Sequence, residues 1–216
     1  KAEAASASDA CGDLEKAKVM VQYGAMASSS RVASLVNGRT GPEWLALPPY
    51  TPSTTILSNE GNDVRPPKYH GACHCGAVAF AAFADPVDAK ICHCRDCQLL
   101  HGAPMQWAAI FHKHDVLITR GLDDLVFYDS ARRGHPRRGE QRVLPSKVTC
   151  GLCRTPIADE GRRMWLAFPT LFNFENRDVP KSFMPSCHVY YRAAMLKVDD
   201  KLPKYEGHKG QSRRMD

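Results

Sequence analysis

Cys73-His74-Cys75, Cys92-His93-Cys94-Arg95-Asp96-Cys97 and Cys150-Gly151-Leu152-Cys153 are the stretches that decide how this chain folds. Between them they hold seven of its nine cysteines. Cysteines one or two residues apart bridge one another poorly but converge readily on one tetrahedral ion, and sulfur donors make Zn²⁺ the default occupant. Seven donors do not close two sites of four. They close one and give a second site three ligands with a position left for water or substrate, and three-ligand sites are the ones that do chemistry.

Spacing suggests a partition. Cys92, Cys94 and Cys97 lie within six residues, so one loop and the turn after it can aim all three sulfurs at a point, which makes the open site. Cys73 with Cys75 and Cys150 with Cys153 are distant pairs, and tying distant segments together is the task of a structural zinc. Two other arrangements stay open at this level, because ligand connectivity is not deducible from sequence. In one, Cys73 and Cys75 complete a site with Cys92 and Cys94. In the other, every cluster is structural and His93, His74 or His101 is an eighth donor.

The 216 residues suit one ordinary domain with an extension, and a hydrophobic fraction of 44% supports a core. No run approaches the ~20 apolar residues that span a bilayer, and none resembles a secretory signal. Glu3, Asp9, Asp13 and Glu15 are unlike a mitochondrial presequence. Clustered free thiols favour a reducing compartment, so a soluble, cytoplasmic protein is expected. The net charge of +6 draws on Arg132, Arg133, Arg137, Arg138 and Arg142. That run lacks the aromatic interleaving of single-strand binders and reads as a solvated loop, not a nucleic-acid surface.

The chain divides near residue 65. Residues 1–65 form an N-terminal extension or arm: helical character from Leu14 to Val36, broken by Gly24 and Ser28-Ser29-Ser30, then a stretch rich in Pro, Gly and Ser. Residues 66–216 read as short strands separated by turns, the pattern of a small, mainly β domain. Strands are predicted over Gly76–Phe83, Met105–Phe111, Val116–Arg120, Leu125–Tyr128, Lys147–Cys150, Met164–Phe168 and Cys187–Tyr191. A short helix is predicted after Cys94, ending at Gly102 before Pro104.

The strings Gly71-Ala-Cys-His-Cys-Gly-Ala-Val-Ala-Phe80, Cys92-His-Cys-Arg-Asp-Cys97 with Gly102-Ala103-Pro104, and Cys150-Gly-Leu-Cys-Arg-Thr-Pro-Ile157 resemble the glutathione-dependent formaldehyde-activating enzyme family, which includes centromere protein V. The likeness runs from about Tyr69 to the Asp200-Lys-Leu-Pro-Lys-Tyr205 string. Asp159-Glu160-Gly161 and Gln106-Trp107-Ala-Ala-Ile-Phe-His112 resemble its filamentous-fungal branch. The resemblance implies a zinc-stapled β-tent with two zincs; the irregular, partly helical N-terminal extension has no part in it. Cys73, Cys75, Cys150 and Cys153 would hold the structural ion, and Cys92, Cys94 and Cys97 the second. One departure is Arg154, where most of the family carries glycine; an arginine there strains the turn or takes a different one.

The resemblance also implies a carbon–sulfur lyase-type reaction, glutathione with formaldehyde giving S-hydroxymethylglutathione, with glutathione as cosubstrate and a small molecule as partner. Zinc could hold the glutathione sulfur as a thiolate, or polarise a carbonyl while the thiol arrives unbound. His93, Asp96 and His101 flank the three-cysteine cluster and are candidates for proton transfer. Arg95, Lys113 and Arg120 are candidates to hold the carboxylates of glutathione. Trp107 and Trp165 are expected in the core or a pocket wall, and Cys187 on a buried strand. Other readings are a non-catalytic zinc-stabilised binding module and a glutathione or formaldehyde carrier. The sequence sets no oligomeric state.

Overall fold

A computed structural model of the chain describes residues 43–58, 64–130 and 144–215. The helix expected over Leu14–Val36, Cys11 and the Arg132–Arg142 run lie outside them. The described residues form ten strands and one α-helix, in order β1 (Tyr69–Ala72), β2 (Ala79–Ala82), β3 (Asp88–Cys92), α1 (Arg95–His101), β4 (Gln106–His112), β5 (Val116–Arg120), β6 (Leu125–Tyr128), β7 (Ser146–Cys150), β8 (Pro156–Glu160), β9 (Met164–Ala167) and β10 (His188–Val189). The domain is mainly β, as its alternating apolar runs predict.

A small sheet runs β1-β2-β5 and a larger one β10-β3-β4-β9-β8-β7-β6. Pairing is antiparallel except for β10 beside β3. Period-two alternation gives the large sheet two different faces. Along β7, Ser146, Val148 and Cys150 are buried, while Lys147 and Thr149 point the other way. The first face carries the main core, in which Val78, Phe80, Phe111, Val116, Val148, Ile157, Trp165 and Phe183 are all but inaccessible. Each phenylalanine of that set contributes roughly 2–3 kcal/mol through burial. Gly71 is dictated by this packing: it pairs with Phe80 across β1 and β2, and a Cβ there would clash with the phenylalanine ring.

Residues 43–58, within the expected arm, are seated on the domain. Tyr50 is 5% exposed in the main core, edge-on to Trp44, Phe127 and Trp165. Its hydroxyl donates to Glu160 Oε2 at 2.6 Å, and Lys113 pairs with the same carboxylate. The amide of Ile118 donates to Pro49 O at 2.8 Å, and Ile56 fills a smaller cluster with Ala81, Phe83 and Leu117.

Three strands, β1, β3 and β8, are additional to those predicted, and Gly76 and Ala77 lie in the turn before β2 instead of in a strand. The helix forms where expected. Gly102 ends it with φ +58°, its N–H donating to Gln98 O.

Candidate functional site

The four-cysteine cluster joins one turn of the small sheet to one turn of the large sheet. Cys73 and Cys75 lie in the turn between β1 and β2, where the Gly76 amide donates to Cys73 O and the Val78 amide to Cys73 Sγ. Cys150 ends β7 and Cys153 follows in the turn to β8, closed by the Arg154 amide on Cys150 O and the Cys150 amide on Thr155 O. Sulfur separations are 3.5 Å for Cys73 to Cys75 and 3.8 Å for Cys75 to Cys150. Tetrahedral zinc thiolates with bonds of about 2.3 Å place sulfurs about 3.8 Å apart, so this donor set fits the ion. The Thr155 hydroxyl, 3.1 Å from Cys153 Sγ, holds that thiol down at about 5, ready to ligate. Arg154 has φ +64°, so of the two options for this turn the chain takes the strained one.

The three-cysteine cluster stands on the opposite face of the large sheet. Cys92 ends β3, Cys94 caps α1 and Cys97 lies in its first turn. Cys94 Sγ accepts from the Cys97 amide at 3.3 Å, a capping bond with sulfur in the place of the usual oxygen. Cys97 and Cys92 sulfurs are 3.7 Å apart, again the spacing that thiolates take around zinc. Donation from Cys92, Cys97 and the Cys97 amide brings Cys94 down to about 2, while Cys92 rises to about 11 and Cys97 also rises. Within each cluster every sulfur lies within 4.8 Å of the others. Among the described residues no group unites Cys73 and Cys75 with Cys92 and Cys94, and no histidine nitrogen joins either set.

His93, expected as a proton carrier, points into the protein. It is wholly buried, with Nε2 2.8 Å from His188 Nδ1, and His188 Nε2 is 2.8 Å from Asp200 Oδ2. Assigning protons from the carboxylate inward, His188 donates from Nε2 to Asp200 and His93 donates from Nε2 to His188, so His93 Nδ1 is a lone pair with no partner. Burial, with His188 alongside, pushes His93 down to about 4. Gln98 completes the support, donating from Nε2 to His93 O and Ala193 O at 2.9 and 2.8 Å.

His101 faces the cluster side. Its Nε2 is buried without a hydrogen-bond partner and its ring is edge-on to Phe168. Burial first, then the charge of Lys147, lowers its basicity. Asp96 is exposed in the first turn of α1, as is Arg95, whose guanidinium has a 3.4 Å contact with Gln98 Oε1. Arg120 and Lys113 are committed elsewhere. Arg120 donates from Nε and Nη2 to Gly76 O, beside the four-cysteine cluster, at 3.0 and 2.5 Å. Lys113 pairs with Glu160 on the core face.

One constellation escaped the sequence reading. Lys147 and Asp159 are opposite each other on β7 and β8, on the face away from the core. Lys147 Nζ is 2.7 and 2.8 Å from the Asp159 oxygens, 3.4 Å from Gln106 Oε1 and 3.9 Å from Cys97 Sγ. Gln106 Nε2 donates to Asp159 Oδ2 at 2.8 Å. Burial alone would lower Lys147, but Asp159 and the sulfurs of Cys97 and Cys94 more than offset it and the ammonium is held raised. The signal was available: a lysine and an aspartate facing each other across a hairpin, had Pro156–Glu160 been read as a strand.

No helix among the described residues is long and apolar enough to cross a membrane. No curated protein matches the chain. A crystal structure of a Rhodobacter sphaeroides protein is 21% identical and covers 50% of this chain and 91% of that one, with a TM-score of 0.39. The family model described as glutathione-dependent formaldehyde-activating enzyme matches residues 68–193, a span that takes in both cysteine clusters and every strand from β1 to β10, and the chain belongs to that family.

Proposed function

We propose that the protein is a zinc-dependent carbon–sulfur lyase-type enzyme acting on glutathione or a related thiol adduct, with formaldehyde plus glutathione to S-hydroxymethylglutathione as the reference reaction. The observation that carries this reading is the convergence of Cys92, Cys94 and Cys97 on one point, with His101 and the Lys147–Asp159 pair around it. Zinc bound there supplies a position that keeps a substrate sulfur as thiolate at neutral pH. The family name supports glutathione as the thiol.

In the forward direction a carbon–sulfur bond forms, the carbonyl π electrons move to oxygen, and the thiol proton ends on that oxygen. His101, whose basicity is lowered by burial and by Lys147, is suited to take the proton from the thiol and return it to the alkoxide. His93 supports the ligand loop from behind through His188 and Asp200. Arg95, exposed one residue from Cys94, is placed to meet a carboxylate of glutathione. The four-cysteine cluster serves as the structural zinc site, and a reducing cytosol suits both sets of thiols.

Calorimetric titration of glutathione into the zinc-loaded protein, with Cys94→Ser as control, tests the reading. Saturable binding lost in the variant, together with formaldehyde-dependent formation of S-hydroxymethylglutathione seen by NMR, is the expected result. Binding without turnover would make the protein a carrier. Absence of binding would leave a zinc-stabilised module whose open cluster serves something other than a thiol.

A further inference from the structure

Lys147 is no metal ligand and enters the proton path only by lowering the basicity of His101, yet the fold holds its ammonium with unusual care. Its side chain is 14% exposed and that of Asp159 17%. A cross-strand bridge needs only a lysine and a carboxylate. Here a third element, β4, sends in Gln106, which donates to Asp159 Oδ2 from one end of its amide and faces Lys147 Nζ with the oxygen at the other. An ammonium has three hydrogens, and the three directions they serve are Asp159, Gln106 and Cys97 Sγ. The lysine is therefore locked with one hydrogen aimed at a sulfur of the open cluster.

Charge counting says what that hydrogen is for. Three thiolates and one divalent cation carry a net −1, and a fourth thiolate makes it −2. In a partly buried site a second negative charge is disfavoured unless positive charge faces it, whereas a neutral oxygen ligand brings no such penalty. The Lys147–Asp159 pair is neutral overall but turns its ammonium to Cys97. A hydrogen bond to Cys97 also draws electron density from that sulfur and leaves more demand at the fourth position.

We propose that Lys147 is a positioning and specificity residue: oriented by Asp159 and Gln106, it donates to Cys97 and makes the open position select an anionic sulfur over a neutral oxygen ligand. This rests on the thiol-binding reading given above and adds to it a choice between the two ways of using the metal, thiolate capture as against polarisation of a carbonyl.

The test compares zinc-loaded wild type, Lys147→Met, Lys147→Arg and the double variant Lys147→Met/Asp159→Asn. The double variant matters because Lys147→Met alone leaves the Asp159 carboxylate part-buried and uncompensated. Each is titrated with glutathione and, separately, with 2-mercaptoethanol, which has a thiol and no carboxylate. Both thiols are expected to bind at least ~10-fold more weakly to Lys147→Met and to the double variant, and within about threefold of wild type to Lys147→Arg, which keeps the charge. Weakening of glutathione alone would mean that Lys147 holds a carboxylate, and unchanged affinity for both would mean that it holds nothing at the site. Either result overturns the proposal. Should wild type bind neither thiol, the functional reading fails on its own account and the Co²⁺-loaded proteins decide the role of Lys147. A sulfur-to-cobalt charge-transfer band that moves in Lys147→Met and returns in Lys147→Arg supports the contact with Cys97, and identical spectra overturn it.

Discussion

The two cysteine clusters are built from the same side chain in opposite ways. The four-cysteine set draws its sulfurs from two turns more than 70 residues apart, one after β1 and the other after β7, so the ligands belong to different sheets. The three-cysteine set takes all its sulfurs from one strand end and one helical turn, and nothing distant depends on it for its place. The surroundings differ accordingly. Around Cys73 and Cys150 the neighbours are backbone amides and a threonine that close the turns; around Cys97 they are a lysine, an aspartate, a glutamine and a histidine arranged by four separate elements. A cluster that joins segments needs only sulfur, whereas one that handles a substrate needs polar groups that the fold must orient at some expense in stability.

The comparison breaks most readily at the ligands. Cys153→Ser is expected to abolish the fold, because a structural zinc at such a site would contribute ~10 kcal/mol or more, as much as the whole stability of a typical domain. Loss of the cooperative thermal transition checks it. Cys94→Ser is expected to keep the transition, to bind one metal ion fewer by mass spectrometry and to lose thiol binding. If the two variants collapse alike, both clusters are structural and the contrast disappears.

His93 sharpens the contrast through pH. Its folded-state pKa is depressed, so the unfolded chain takes up a proton near 6.5 and the folded chain only near 4. The neutral histidine's share of stability is thus complete above the unfolded value and is lost as pH falls from 6.5 towards 4. Wild type should lose about 2 kcal/mol more than His93→Gln on going from pH 7 to pH 5 in urea titrations, and parallel losses would remove His93 from the account. The smallest effect belongs to the other cluster: Arg154→Gly should stabilise by about 0.5–1 kcal/mol by relieving a left-handed backbone, read as a rise in the urea midpoint.

Local chemistry was legible in the sequence and distant chemistry was not. The knuckles, the helix and its Gly102 cap all rest on residues a few positions apart, and strands such as β5, Val116-Leu-Ile-Thr-Arg120, announce themselves by branched side chains. Strand β1 is Tyr-His-Gly-Ala, with no branched residue, and forms because Gly71 admits the Phe80 ring from the strand beside it. Strand β8 opens on a proline and ends on Asp159-Glu160, a poor strand until its two carboxylates find Lys147 on one face and Tyr50 with Lys113 on the other. The same blindness hid the site. His93 read as a candidate for proton transfer because its partner, His188, lies 95 positions away, and Lys113 and Arg120 read as candidates for the carboxylates of glutathione because Glu160 and Gly76 O are also remote in sequence.

Tyr50 sits upstream of the family-matched span and yet deep in the main core. A protein trimmed to residues 68–193 would bare one side of Trp165 and Phe127 to water and deprive Glu160 of its phenolic donor. Such a fragment would carry every cysteine ligand and still be sticky, prone to associate through its uncovered rings. The practical limits of this domain for expression lie at or before Glu43, set by an aromatic plug that family likeness alone does not reveal.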